Sequence, residues 1–352
     1  MIDVSKKGKG ALVRGEDPRD VPYSSLIFGA PVVNWDKGFD VEENLGIKVR
    51  IDDQGSSQSC VAQAWSKYGE VVDYVETRQI PDLSARDIYS RIFVPPDGGA
   101  YGYKGGSVLK DRGVAEEKFI LSYISGNPPD EAFMRIRNDD PDVAKNAAIR
   151  KIKGYAFVSG SNVDELAHAI QNNHGALFGV TGSNNGWQTG HPRPPLQGEP
   201  VWGHFLYASG FKIINGRKYV YGPNSWGKAW GQGGYYFLEE SYFAQGWTFN
   251  GMTLADLPNN VQDQIKMKDL IKIGESPEQY VVESGKRFRI PDLETKAYLR
   301  DQLKIILDEP RVITKEEFDR FYDGGIIPSF KLHLRLGSIY TDFRDAFEEG
   351  QG

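Results

Sequence analysis

The chain reads as an α+β protein, and three observations carry that reading. From Cys60 the segment CVAQAWSKYGEVVDYVE repeats apolar residues three to four apart, the period of a helix with one buried face. Between His204 and Asn224, HFLYASGF and RKYVYG read as two strands joined at Asn215-Gly216, a residue pair suited to a tight hairpin. Near Asn259 the composition shifts, and residues 260–352 mix helix-like and strand-like runs rich in charge. That stretch is expected to form a separate small α+β module.

The 352 residues allow two or three domains, or one large domain with an appendage. Hydrophobic residues at 39% are enough for a sizeable core. A net charge of -6 gives no sign of a nucleic-acid partner. The one cysteine, Cys60, excludes an internal disulfide and any all-cysteine metal site. It fits a reducing compartment, so a cytoplasmic location is the default expectation. The opening MIDVSKKGKGALVRGEDP has no apolar core of a secretory signal, and no membrane span is expected.

Residues 1–33 are polar and punctuated by Gly and Pro, and read as an extended arm with a short apolar patch at Ser25-Leu26-Ile27-Phe28. The main globular part, residues 34–257, begins near Trp35, the first large ring expected to be buried. IKVRIDD alternates and reads as a short strand leading to Gln54. The following helix carries Ala64, Tyr68, Val71, Val72 and Val75 on one face and places Cys60 in its first turn. Unpaired N–H groups and the helix dipole favour a thiolate there. The bland alternative for a lone cysteine is a small buried hydrophobe.

Ser84 is a candidate N-cap of a second helix. DGGAYGYKGGSVLKDRGV is dense in glycine, which permits close approach of a ligand backbone. The acidic stretch 126–144 holds Asn138, Asp139, Asp140 and Asp142 but lacks the Gly and terminal Glu of a calcium loop; it reads as solvated, and no metal is expected. IRKIKGYAFV and ALFGV read as strands flanking the amphipathic helix NVDELAHAIQNNHG. His168 and His174 read as helix-surface residues and His191 as a loop residue. In the last module MKDLIKI, AYLRDQLKIIL and TKEEFDRFY look helical, and QYVVESGKRFRI looks like strands around a Ser284-Gly285 turn. Lys286, Arg287 and Arg289 read as a solvated strand face. The module is expected either to bind a surface or protein partner or to add only stability.

Thiol hydrolysis of an amide needs a nucleophile, a base, a group that orients the base, and donors for the developing oxyanion. Cys60 supplies the first and His204 the second, since imidazole titrates near neutral pH. The hairpin reading brings His204 and Asn224 to one end of a sheet, where Asn224 can accept from the ring and fix its orientation. Gln54 can donate to the oxyanion together with the Cys60 N–H.

With QGSSQSC, the isolated His204 before an apolar strand, and PNSWGKAWGQGGYYF, the chain resembles the papain-like cysteine proteases. His204 follows Cys60 by 144 residues, inside that family's range of about 130–150. The resemblance implies a two-lobed fold, a helical lobe beside an antiparallel, barrel-like β lobe, and hydrolysis of polypeptide without a cofactor. It also implies that Gly105 and Gly106 line the cleft and pair with extended peptide, and that Trp226 covers the His204–Asn224 hydrogen bond. The long loop before His204 resembles the bacterial branch of the family. Departures are Ser57 where the family has a disulfide cysteine, Gln58 where it has Gly, and Val61 where it has an aromatic ring. Gln58 is expected to narrow the S1 region, and Gly203 to leave the S2 wall open. These departures keep two alternatives in view: a degenerate relative that binds peptide without cutting it, and an amidase or acyl transferase on the same scaffold.

Overall fold

A computed structural model describes residues 2–15, 17, 20–27, 31–123, 127–255, 269–274, 276–283, 286–297, 310–319 and 322–326. The chain divides into two units, Met1–Tyr23 with Val33–Asp256, and Ser24–Val32 with Leu257–Gly352.

The first unit is built around the helix Cys60–Thr77. Every residue from Cys60 to Val71 is buried, so its first three turns are covered on all sides. Apolar residues supply most of that contact; burying Val61 or Val71 contributes about 1.5–3 kcal/mol each. The buried polar positions are paired. Lys67 Nζ lies 2.7 Å from Asp52, and Arg50 reaches both Asp52 at 2.7 Å and Glu70 at 3.1 Å. Burial pushes the Glu70 carboxyl up to about 7, against the pull of Arg50. These pairs tie the segment before Gln54 to the helix, so that segment needs no strand partner along its length. It contributes one isolated bridge, Asp53 to Trp226, rather than the expected strand.

The helix Ala85–Ile92 starts at the Ser84 cap, whose hydroxyl accepts from Asp87 N at 3.1 Å. The helix Gly102–Asp111 packs its Gly105 against the Trp65 ring, where an added Cβ would come within 2.1 Å. The Trp65 indole N–H donates to Gly102 O at 2.8 Å.

Among the described residues the strands of the first unit form two four-stranded antiparallel sheets and a short parallel pair, and no closed barrel. One runs in the order Tyr155–Val158, Thr248–Leu254, Ala176–Ser183, Val201–Ala208. The other runs Phe39–Asp40, Gly210–Ile214, Arg217–Pro223, Tyr235–Glu239. The chain passes from one sheet to the other at Ser209, whose N–H donates to Tyr221 O at 3.0 Å. Gly222 makes that crossing close: a Cβ there would sit 2.2 Å from Tyr207 O. The Asn215-Gly216 turn, with both residues at positive φ, joins Gly210–Ile214 to Arg217–Pro223. It does not carry His204, which lies in the other sheet. HFLYASGF is therefore two strands broken at Ser209.

His168, expected on a surface, is buried with its Nδ1 3.0 Å from the Tyr23 hydroxyl. Asn162 caps its helix through Asp164 N and Glu165 N, and the helix turns that histidine inward. No helix among the described residues is long and apolar enough to cross a membrane.

The second unit holds a five-stranded mixed sheet in the order Arg311–Ile313, Asp269–Ile273, Tyr280–Glu283, Lys286–Arg289, Tyr322–Ile326. MKDLIKI contributes a strand there, not a helix: Asp269–Ile273 is paired on both sides, and consecutive Leu270 and Ile271 are both buried. A short apolar run fits either period, and strand pairing decided. Ile271 and Phe318 form a small core, and Arg287 stacks on Phe318 at 4.0 Å. TKEEFDRFY yields only the short helix Lys315–Phe318 before the strand from Tyr322. The Ser284-Gly285 turn and most of AYLRDQLKIIL lie outside the described residues.

Candidate active site

Cys60 is the first residue of its helix, and the loop Gln54–Ser59 leads into it. That loop is held by its own polar groups. The buried Ser57 hydroxyl donates to Gln54 O at 2.6 Å and pairs with the Ser59 hydroxyl at 2.8 Å. Gln54 is tied to the far side of the groove: its N–H donates to Ser225 O at 2.9 Å, and its Oε1 accepts from the Ser225 hydroxyl at 2.5 Å. Its Nε2 donates to Ser57 O at 2.7 Å.

His204 and Asn224 meet although they come from different sheets, with His204 Nε2 2.8 Å from Asn224 Oδ1. The same Oδ1 accepts from Ser225 N at 2.8 Å, so His204 must donate from Nε2. Its Nδ1 is then the ring's acceptor, and it is buried without a hydrogen-bond partner among the described residues. Trp226 lies over the ring, centroids 4.6 Å apart, and Trp187 and Trp202 meet it edge-on. The sulfur of Cys60 lies beside the N–H of Phe205, the residue after His204.

The N-terminal segment runs through the groove. Gly8 N donates to Gly55 O at 2.8 Å, and the Trp226 indole donates to Gly8 O at 3.2 Å. Ala100 N donates to Gly10 O at 2.7 Å, and Ala11-Leu12 pair in parallel with Ala100-Tyr101. The Gly10 N–H favours the charged form of Cys60. The alternation Gly8-Lys9-Gly10 makes this path possible: a Cβ on Gly8 would fall 1.7 Å from Ser57 O, and one on Gly10 2.3 Å from Gln58 O. Lys9, between them, turns to the opposite wall, with Nζ 5.4 Å from the Trp202 ring and 5.9 Å from Trp226. Lys7 pairs with Asp53 at 2.6 Å.

Covered in this way, Cys60 and His204 are both pushed towards their neutral forms. Burial pushes the Cys60 thiol up to about 12, although the N–H groups of Phe205, Gly10 and Val61 pull the other way. Burial pushes His204 down to about 3, opposed by the Asn224 bond and assisted by the Lys9 and Lys67 charges.

The substrate-facing residues read from the sequence fall in two groups. Gln58 and Gly203 do border the groove: Gln58 lies against Gly10, and a Cβ on Gly203 would meet Ala11 O at 2.1 Å. Gly105 and Gly106 do not. They sit inside a helix against Trp65 and Tyr155, with their backbone committed to helical hydrogen bonds. The residues that meet the extended N-terminal segment are Gly99, Ala100 and Tyr101. Gly98 and Gly99 have φ of +93° and +75°, and a Cβ on Gly99 would lie 2.6 Å from Gly10 O. The signal was in the sequence: Asp97-Gly98-Gly99 precedes the helical run, whereas Gly105-Gly106 falls within it.

Residues 36–246 match the papain family cysteine proteases. A cysteine protease of Blomia tropicalis is 27% identical over 205 residues, 56% of this chain; the chain spans 59% of that relative's length. Among solved structures, xylellain, a cysteine protease from Xylella fastidiosa, aligns with a TM-score of 0.56 at 21% identity, over 72% of this chain and 97% of its own. A procathepsin B from Trypanosoma congolense aligns with a TM-score of 0.54 at 14% identity, over 71% and 87%. The first unit thus has the papain-like fold, and the chain belongs to the papain family of cysteine proteases.

Proposed function

We propose that the chain hydrolyses peptide bonds of extended polypeptides, with Cys60 as nucleophile, His204 as base, Asn224 as the group that orients it, and Gln54 with the Cys60 N–H as oxyanion donors. The observation that supports this reading is the His204 ring: Nε2 is held by Asn224, Nδ1 has no hydrogen-bond partner among the described residues, and the N–H of the next residue, Phe205, favours the charged form of Cys60. Turnover begins when the N-terminal segment leaves the groove. Water then reaches Cys60 and His204, and the Lys9 charge that opposes the imidazolium is gone. The Cys60 proton passes to His204 Nδ1, and the thiolate attacks the carbonyl carbon. Gln54 Nε2 turns from Ser57 O to the oxyanion. The His204 proton goes to the leaving amine, and water, activated by the same ring, releases the acid and restores the thiol.

The test is a digest of a denatured protein mixture by wild type beside Cys60→Ala, with new termini sequenced. Cleavage by wild type alone is expected; identical digests would refute the reading.

A further inference from the structure

Glu131 opens the short helix Glu131–Met134, in the stretch that reads from sequence as a solvated acidic loop. In the fold it is the meeting point of the two loops that border the groove. Its Oε2 accepts from Gln58 N at 2.6 Å, in the loop that carries Gln54 and Cys60. Its Oε1 accepts from the Tyr89 hydroxyl at 2.6 Å, and that hydroxyl in turn accepts from Gly99 N at 3.0 Å. Arg135 donates to the same Oε1 at 2.7 Å and to Pro96 O at 3.0 Å. Gln58 adds a direct link, its Nε2 donating to Asp97 O at 2.5 Å. Just before Glu131, Pro128 and Pro129 back Gly55 so closely that a Cβ there would fall 2.3 Å from Pro129 O.

The backbone donors in this relay, Gln58 N and Gly99 N, belong to the two loops, and Tyr89, on the helix Ala85–Ile92, carries the link from Glu131 to Gly99. Ser57 stands where the resembled family has a disulfide cysteine, so the nucleophile loop lacks that covalent tie. We propose that Glu131 is a positioning residue for peptide hydrolysis: through Gln58 and Tyr89 it holds the nucleophile loop at a fixed spacing from the Gly98–Ala100 edge on which an extended backbone pairs. This rests on the function proposed above. A carboxylate suits the task because it accepts several charge-assisted hydrogen bonds at once, and small losses of alignment between nucleophile and bound backbone cost about a hundredfold in rate.

The test compares two reagents on the full chain. Iodoacetamide alkylates Cys60 without using the Gly98–Ala100 edge, whereas a peptidyl chloromethyl ketone needs it. Departure of the N-terminal segment slows both equally, so the ratio of their rate constants reports the edge alone. Glu131→Gln, which keeps the volume and loses the charge, is expected to lower that ratio about tenfold with little change in the iodoacetamide rate. Tyr89→Phe is expected to lower it several-fold, and the double variant no further than Glu131→Gln alone. Tyr89→Phe also serves if Glu131→Gln fails to fold. A ratio within twofold of wild type in a folded variant, or additive losses in the double variant, would overturn the proposal. A wild-type ratio near one would overturn the protease reading as well.

Discussion

Two Gly-Gly pairs stand seven residues apart, and they do opposite work. Gly98-Gly99 lies on a loop at positive φ, its N–H groups bonded to Val94 O and the Tyr89 hydroxyl, and Gly99 passes so close to the N-terminal segment that a Cβ would lie 2.6 Å from Gly10 O. Gly105-Gly106 lies within a helix and lets that helix settle on Trp65 and Tyr155. One pair borders the N-terminal segment and the other is a packing device. The difference is set by what a side chain would meet: Gly10 O and the Glu131, Arg135 and Gln58 side chains at the first pair, the Trp65 and Tyr155 rings at the second. A dipeptide motif therefore has meaning only once its secondary structure is fixed.

The comparison breaks most sharply by adding side chains at each pair. Gly105→Val drives branched carbon into the Trp65 ring and is expected to destabilise the first unit by about 3 kcal/mol. The check is a thermal melt, where a midpoint close to wild type would show that the helix can slide away. Gly99→Ala carries a smaller stability penalty, about 1 kcal/mol for its positive φ. Its larger effect is on the docked N-terminal segment, and iodoacetamide labelling of Cys60 should speed up about tenfold. Gly10→Ala, on the other side of the same contact, should do the same without the φ penalty. Labelling at the wild-type rate in both would mean that the segment is not seated there in solution.

The smallest expected effect tests Lys9. Burial pushes its ammonium down to about 8 from 10.5, with only the distant Asp3 charge opposing. Between pH 8 and 10.5 the free segment keeps a proton that the docked one sheds, so docking tightens as pH rises through that window. Below pH 8 the penalty is present in full. Lys9→Met keeps the stem and removes the charge; its Cys60 labelling at pH 7.5 should fall several-fold below wild type, and the tightening of docking above pH 8 should be lost, leaving only the opposite trend that the Cys60 thiol imposes above about pH 9. Docking is followed by the quenching of Trp202 and Trp226 fluorescence, and an unchanged pH profile would acquit Lys9.

Chain order made much of the site legible. Cys60 at a helix start, an isolated His204 before an apolar strand, and Asn224 before Ser-Trp-Gly are local patterns, and His204 and Asn224 lie within hydrogen-bond reach. The route by which His204 and Asn224 meet was misread, because a break at one residue, Ser209, moves a strand into another sheet without leaving a turn signal. His168 looked exposed on helical period alone, but Tyr23, 145 positions earlier, covers it. Glu131 looked like one acid among several; its partners Gln58 and Tyr89 lie 73 and 42 residues away. The pattern of glycines at 8 and 10 around Lys9 was visible, but nothing local says that those glycines face Ser57 and Gln58.

By itself the sequence determined the helix that presents Cys60, the cap at Ser84, the Asn215-Gly216 turn and the identity of the chemical groups. These follow from period, φ preference and side-chain chemistry within a few residues. Only the tertiary structure decided which glycine pair borders the groove, what occupies that groove, and which carboxylate braces it. Those outcomes depend on contacts between residues tens to hundreds of positions apart, where burial, steric clearance and hydrogen-bond reach are properties of the folded assembly.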